Sequence, residues 1–297
     1  MKQIYLHIGF SKTGSSSLQS WLSLNSDNLR EMGYDYADLI PSAKDGVVTP
    51  GNGVNLYHAA NEKNWAEVES LLLNVYFNSN KKSIISSEAL QGLDTEAIRK
   101  IKEICIKNNI NITVIAYVRS AYELLYSNYL QGIKRHGFTL PFGKQEKIQY
   151  SVQRRFLENY LSCFGEDLVV LNYDNNKNNI FESFGNQIDI DWKKLELKTK
   201  RVNRSLTFPE ATVLRDMNGI HSGVFSTEIS DFLLELDPHK STSVYYDEQL
   251  IKEAIQNCHE DITWINNSFF SDPSESLKVH YFTKGSKYSN ENRLEIV

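Results

Sequence analysis

The chain has 297 residues, 41% hydrophobic and 23% charged, with a net charge of −5, a mixture able to bury a sizeable globular core. That acidic balance excludes general electrostatic attraction to nucleic acid, so any anion site has to be built locally from individual basic residues. Three cysteines, Cys105, Cys163 and Cys258, are odd in number, far apart and without metal-type spacing, which fits buried thiols in a reducing compartment. The longest apolar runs, Ser70 to Phe77 and Ile112 to Val118, fall far short of the ~18 residues of a bilayer span. The N-terminal run "IYLHIGF" is interrupted by His7 and followed at once by Ser11 and Lys12, unlike a signal peptide. The expectation is a cytoplasmic protein.

In chain order, "KQIYLHIGF" is a short β-branched and aromatic run predicting a strand that ends at Gly9, and "SLQSWLSLNSDNLREMG" carries Leu18, Trp21 and Leu22 at helical spacing. Residues 41 to 65, with two prolines, three glycines and no sustained period, read as a long excursion. "KKSIISSEAL" predicts a second strand ending near Ser87, "TEAIRKIKEICIKNN" an amphipathic helix, and "INITVIAYVR" a third strand, apolar almost throughout. Apolar strands alternating with helices indicate a parallel sheet covered on both faces. "SAYELLYSNYLQGIKRHG" reads as a helix, "EDLVVLNYD" as a strand and "NYDNNKNN" as an exposed turn. From about Ser205 the pattern is helical, and Ile251, Ile255, Cys258, Ile262 and Ile265 form a core stripe. The fold class is therefore α/β, a P-loop-type parallel sheet flanked by helices with a mostly helical C-terminal part. It forms one domain over 1–297, with an α/β core to 204 and a helical extension over 205–297.

"IGFSKTGSSS" nearly spells a nucleotide-binding loop. Gly9 and Gly14 have the required separation and Ser16 stands at the magnesium-ligand position, but position 15 is serine and the lysine is Lys12. Loops of this kind lie beyond the carboxyl ends of parallel strands, where the first turn of a helix holds anions through its free N–H groups and dipole. Thr13, Ser15, Ser16 and Ser17 would add hydroxyl donors. Lys12 leads the turn and so addresses a different oxygen from the lysine of a kinase.

These residues resemble the sulfotransferases that use 3′-phosphoadenosine 5′-phosphosulfate (PAPS), whose loop is similar to Pro-Lys-Thr-Gly-Thr-Thr after a short apolar strand. "SKTGSSS" matches it with Ser11 for proline and serines for threonines. The resemblance implies binding of PAPS, released as adenosine 3′,5′-bisphosphate, by Lys12, Thr13, Gly14, Ser15, Ser16 and Ser17. Lys12 would lie on the oxygen bridging phosphate and sulfur, and no metal is needed. The family holds the 3′-phosphate with an arginine at a strand end and a serine eight positions on. "YVRSAYELLYS" supplies Arg119 and Ser127 at that spacing, a fork-shaped donor and a hydroxyl suited to phosphate. The family also returns a basic loop over the cofactor. Here "KKLELKTKRVNRS" holds Lys193, Lys194, Lys198, Lys200 and Arg201 and offers Arg204 and Ser205, although the run reads equally as a solvated face.

Transfer to a hydroxyl needs a base near the sulfur. Cytosolic members of the family use a histidine at the end of the second strand, where this chain has Ser86-Ser87-Glu88. Glu88 is the first candidate and His58 the second; Glu88 reads alternatively as a helix N-terminal carboxylate and His58 as a surface residue. The other histidines after His58 pair with no chemical residue. The acceptor implied is a small molecule or a saccharide or glycoconjugate hydroxyl, with Tyr57, Trp65 and the aromatic 122–129 helix either facing it or packed in the core. Two rivals stand: a P-loop phosphotransferase, which the displaced lysine opposes, and a non-catalytic nucleotide-binding relative.

Overall fold

The computed structural model describes residues 2–40, 49–77, 82–144, 153–197, 204–238, 240, 242 and 244–278. In chain order its elements are β1 (Lys2–Ile8), α1 (Ser15–Leu24), α2 (Ser26–Glu31), β2 (Tyr34–Asp35), α3 (Val54–Asn61), α4 (Trp65–Ser70), β3 (Lys82–Ser87), α5 (Thr95–Lys107), β4 (Ile110–Val118) and α6 (Ala121–His136). There follow α7 (Gln153–Phe164), β5 (Leu168–Asn172), α8 (Tyr173–Asn176), α9 (Ile180–Gln187), α10 (Phe208–His221), α11 (Ser226–Leu236) and α12 (Glu248–Phe269). The described residues fall into two compact units, one within 1–119, 152–202 and 265–276, the other within 120–151, 203–264 and 277–278. Helix α6, counted with the 1–204 core on sequence grounds, thus belongs with the C-terminal helices.

The first unit is built on a five-stranded sheet of order β2-β3-β1-β4-β5, parallel at every pairing. A strand with neighbours on both edges and helices on both faces needs apolar side chains throughout, and Val114 to Val118 of β4 are fully buried. On one face Leu18, Trp21 and Leu22 of α1 pack with Ile84, Ile115, Tyr117 and Phe184. Helix α5 starts where the Asp94 carboxylate accepts the Ala97 N–H at 2.8 Å, and it buries Ile98, Ile101 and Ile104. Register positions the site. His7 lies opposite Ser86 and Ile8 opposite Ser87, so the exits of β1 and β3 adjoin, and Val118 opposite Asn172 brings the exits of β4 and β5 together.

The second unit packs α6 against α10 and its lead-in, through Tyr126, Tyr129, Leu130 and Ile133 with Leu206, Ala211 and Leu214. Tyr122 packs with Ile251 and Ala254 of α12. The aromatic face of α6 is therefore core: Tyr122, Tyr126 and Tyr129 are all buried. Helix α10 opens with a capping box in which Thr207 and Glu210 each bond the other's backbone, satisfying two otherwise orphaned N–H groups.

Three local expectations are corrected. Within 41–65, residues 41–48 lie outside the described part and 54–61 form α3, on which Leu56, Ala59 and Ala60 are buried. Three apolar positions on so short a helix left too little periodicity to read. "NYDNNKNN" is not a plain exposed turn: Asn172 is buried at the end of β5 and Tyr173–Asn176 form α8, capped by Asn172 accepting the Asp174 N–H at 2.9 Å. Of the three cysteines, Cys105 and Cys258 are buried and Cys163 is half-buried. Among the described residues, no helix is long and apolar enough to cross a membrane.

Candidate active site

The β1–α1 loop turns through two residues in the left-handed region, Lys12 at φ +65° and Gly14 at φ +78°. At Gly14 only glycine fits: a Cβ would stand 2.7 Å from Ile180 Cδ1 and 2.9 Å from Tyr173 Cε2. Lys12 adopts the same region with a side chain, at a cost of about 1–2 kcal/mol. Thr13 is fully buried and donates to the Phe10 carbonyl at 2.6 Å. Its hydroxyl therefore braces the turn instead of facing a ligand. Gly14 caps α1 without any side-chain hydrogen bond, which leaves the first-turn amides in the arrangement that binds anions. Ser16 and Ser17 are half-buried on that turn.

Glu88 meets this loop directly. Ser11 Oγ donates to its Oε1 at 2.6 Å and Ser15 Oγ to its Oε2 at 3.1 Å. The carboxylate leaving β3 is thus fastened to both sides of Lys12, and the adjoining exits of β1 and β3 bring this about. The Ser15 hydroxyl serves Glu88, while its place in the first turn of α1 is unchanged.

Arg119 closes the other side. Its Nη1 donates to the Lys12 carbonyl at 2.9 Å and its Nε to Asp174 Oδ1 at 3.3 Å, and its guanidinium lies 5.2 Å from the centre of the Tyr173 ring. The Gln153 carboxamide accepts from the Arg119 N–H and donates to the Arg119 carbonyl, both at 2.8 Å. Backbone and side chain are therefore both held, and Nη2 has no protein partner among the described residues. Asp174, Tyr173 and Gln153 escape a reading of the sequence alone. The first two sit in an asparagine-rich run of turn composition, and nothing local distinguishes Gln153.

The remaining candidates fall elsewhere. Ser127 is half-buried on α6 and Ser205 half-buried before α10, both in the second unit. His58 is exposed in the last turn of α3, its ring edge-on to Tyr57 at 5.4 Å. Arg204 is already committed: Nη1 and Nη2 donate to Glu210 at 2.8 and 3.1 Å, Nε to the Asp237 carbonyl at 2.6 Å and Nη2 to the Leu233 carbonyl at 2.7 Å. Burial works against the Glu210 charge, but Arg204 and Thr207 outweigh it and hold that carboxyl below its usual range. Arg204 is thus an anchor between α10 and α11, not a free phosphate ligand. Lys193 and Lys194 are exposed, and Lys198, Lys200 and Arg201 lie outside the described residues.

One buried group beneath the loop stands out. His7 on β1 is fully buried, its Nδ1 2.8 Å from Ser86 Oγ and its Nε2 without a hydrogen-bond partner among the described residues. Burial holds its pKa down at about 4, so the ring is neutral, packed edge-on to Tyr117 and Phe184.

No known family profile matches the chain and no curated protein matches its sequence. Among solved structures it is similar to a sulfotransferase from Alicyclobacillus acidocaldarius, 12% identical over 91% of this chain and 96% of that one, with a TM-score of 0.48. It is also similar to a retinol dehydratase solved in complex with androsterone and the inactive cofactor PAP, 10% identical over 92% of this chain and 83% of that one, with a TM-score of 0.34. The architecture expected from the sequence, a parallel sheet flanked by helices, is the one this chain adopts, and the β1–α1 loop joins its central strand to the first helix.

Proposed function

We propose that this chain is a sulfotransferase that passes the sulfuryl group of PAPS to an acceptor hydroxyl, with a saccharide or glycoconjugate as the first class to test. The observation that carries the reading is the bonded set around Lys12: Glu88 on the hydroxyls of Ser11 and Ser15, and Arg119 on the Lys12 carbonyl. The Glu88 carboxylate and the Arg119 guanidinium thus flank the loop that leads into the N-terminus of α1, an arginine and first-turn amides being donors suited to phosphate and sulfate oxygens.

PAPS, when bound, supplies a sulfuryl group activated by a good phosphate leaving group. The first-turn amides of α1 with Ser16 and Ser17 hold the 5′ end. Lys12 would supply positive charge to the leaving phosphate, an effect of roughly 3–4 kcal/mol for one preorganised partner. Arg119 would offer Nη2 to the 3′-phosphate. Glu88 takes the acceptor proton, worth typically ~10²- to 10⁴-fold; His58, exposed on α3, ranks behind it.

A P-loop phosphotransferase needs a lysine directly after Gly14. That position is Ser15, whose hydroxyl is on Glu88, so the geometry favours the sulfuryl reading. Thermal shift with adenosine 3′,5′-bisphosphate against Mg·ATP tests it. Stabilisation by the bisphosphate without metal is expected, and a response to Mg·ATP alone would reverse the assignment.

A further inference from the structure

The side chain of Asn52 stands where a neighbouring strand would. β2 pairs with β3 only at Lys82 and Ser83, so beyond Ser83 no described strand borders that edge of β3. There Asn52 Nδ2 donates to the Ile84 carbonyl at 3.1 Å, and Asn52 Oδ1 accepts from the Ser86 N–H at 2.8 Å. In a parallel ladder, one residue of the adjacent strand bonds this same pair of groups, on either side of the residue opposite it. The Gly53 N–H adds a bond to the Ser86 carbonyl at 3.1 Å, and the Ser87 hydroxyl donates to the Pro50 carbonyl at 2.6 Å. Tyr76 fixes the turn from behind by donating to the Asn52 carbonyl at 2.6 Å. Gly51 sits at φ +82°, where a Cβ would stand 2.1 Å from the Ser86 carbonyl oxygen. The turn therefore approaches β3 more closely than any side chain at 51 permits. Asn52 itself is buried, and the brace ends just before Glu88.

We propose that Asn52 is a positioning residue that holds the end of β3 so that Glu88 meets Ser11 and Ser15. The proposal rests on the reading of Glu88 as the acceptor base. A buried carboxamide with both ends paired is costly to disturb, because truncation orphans one donor and one acceptor of β3. The effect reaches Glu88 through two residues of backbone and leaves the α1 amides untouched.

The test uses Asn52→Ala, Asn52→Ser, Glu88→Gln and the Asn52→Ala/Glu88→Gln double variant, with PAPS alone and water as acceptor. The water oxygen bonds to sulfur as the S–O bond to the phosphate breaks, releasing sulfate and adenosine 3′,5′-bisphosphate, with the proton going to Glu88. Asn52→Ala should lower turnover at least about 10-fold, with bisphosphate affinity within about twofold of wild type. The double variant should lose no more than Glu88→Gln alone, since residues acting through one another are not additive. Hydrogen exchange across residues 83–90 should accelerate in Asn52→Ala and less in Asn52→Ser, whose neutral hydroxyl can still serve one of the two β3 groups and which is the variant to use if the alanine form does not fold. Additive losses, or unchanged exchange across 83–90, overturn the proposal. If the wild type binds no bisphosphate, the PAPS reading fails on its own, and the exchange result still decides whether Asn52 holds β3.

Discussion

The guanidinium of Arg119 donates to the main-chain carbonyl of Lys12 at 2.9 Å, so the residue that leaves β4 holds in place the left-handed residue of the β1–α1 loop. Asp174 orients that guanidinium from below and Gln153 clamps its backbone. Arg119→Ala should weaken adenosine 3′,5′-bisphosphate binding by about 10- to 150-fold, the ~1.5–3 kcal/mol of a hydrogen bond to a charged group. Arg119→Lys should not rescue it, because one ammonium cannot fork between Asp174, the Lys12 carbonyl and a phosphate. Titration calorimetry reads this, and unchanged affinity in the alanine variant would remove Arg119 from the site.

Lys12 separates chemistry from stability. Lys12→Ala and Lys12→Gly should both lose transfer by roughly 3–4 kcal/mol in the transition state. Glycine carries no penalty at φ +65°, so the glycine variant should exceed the alanine variant in stability by about 1 kcal/mol in urea unfolding. Full transfer activity in either variant is the outcome that sinks the assignment.

Arg204 should behave oppositely. Its pairing with the half-buried Glu210 means that Arg204→Ala leaves that carboxylate to Lys240 and the Thr207 N–H alone, at a cost of about 1.5–3 kcal/mol. Bisphosphate affinity of the folded fraction should not change. A selective loss of affinity with intact stability would return Arg204 to the phosphate site.

His7 makes a pH prediction with a definite sign. Its folded pKa of about 4 lies below the ordinary value of 6.5, so between the two the unfolded chain binds more protons. The stability that depends on neutral His7 is complete above pH ~6.5 and declines as pH falls toward ~4, by about 3 kcal/mol in all. Urea unfolding at pH 7, 5.5 and 4 should show this component in the wild type and not in His7→Gln, whatever the variant's absolute stability.

Much of the site was legible locally, because its chemistry follows from short-range rules. A strand, a glycine turn and a serine-rich helix start over residues 4–18 define an anion loop, and an arginine directly after an apolar strand defines a donor at the sheet's carboxyl edge. The parallel sheet followed from apolar strands alternating with helices. Long-range pairing was invisible. Whether Glu88 touches Ser11 and Ser15 depends on β3 lying beside β1 in one register, and a slip of one residue would turn that carboxylate to the other face. Asp174 beneath Arg119, Gln153 on its backbone and Asn52 completing β3 come from segments 32 to 55 residues away in the chain from the groups they hold. Arg204 shows the converse, a basic residue in a basic run whose role was set by a half-buried carboxylate six residues on and by the carbonyl ends of α11. Loop chemistry is local because backbone N–H groups and a dipole create it. Who supports the loop is decided by packing, which the order of residues along the chain does not display.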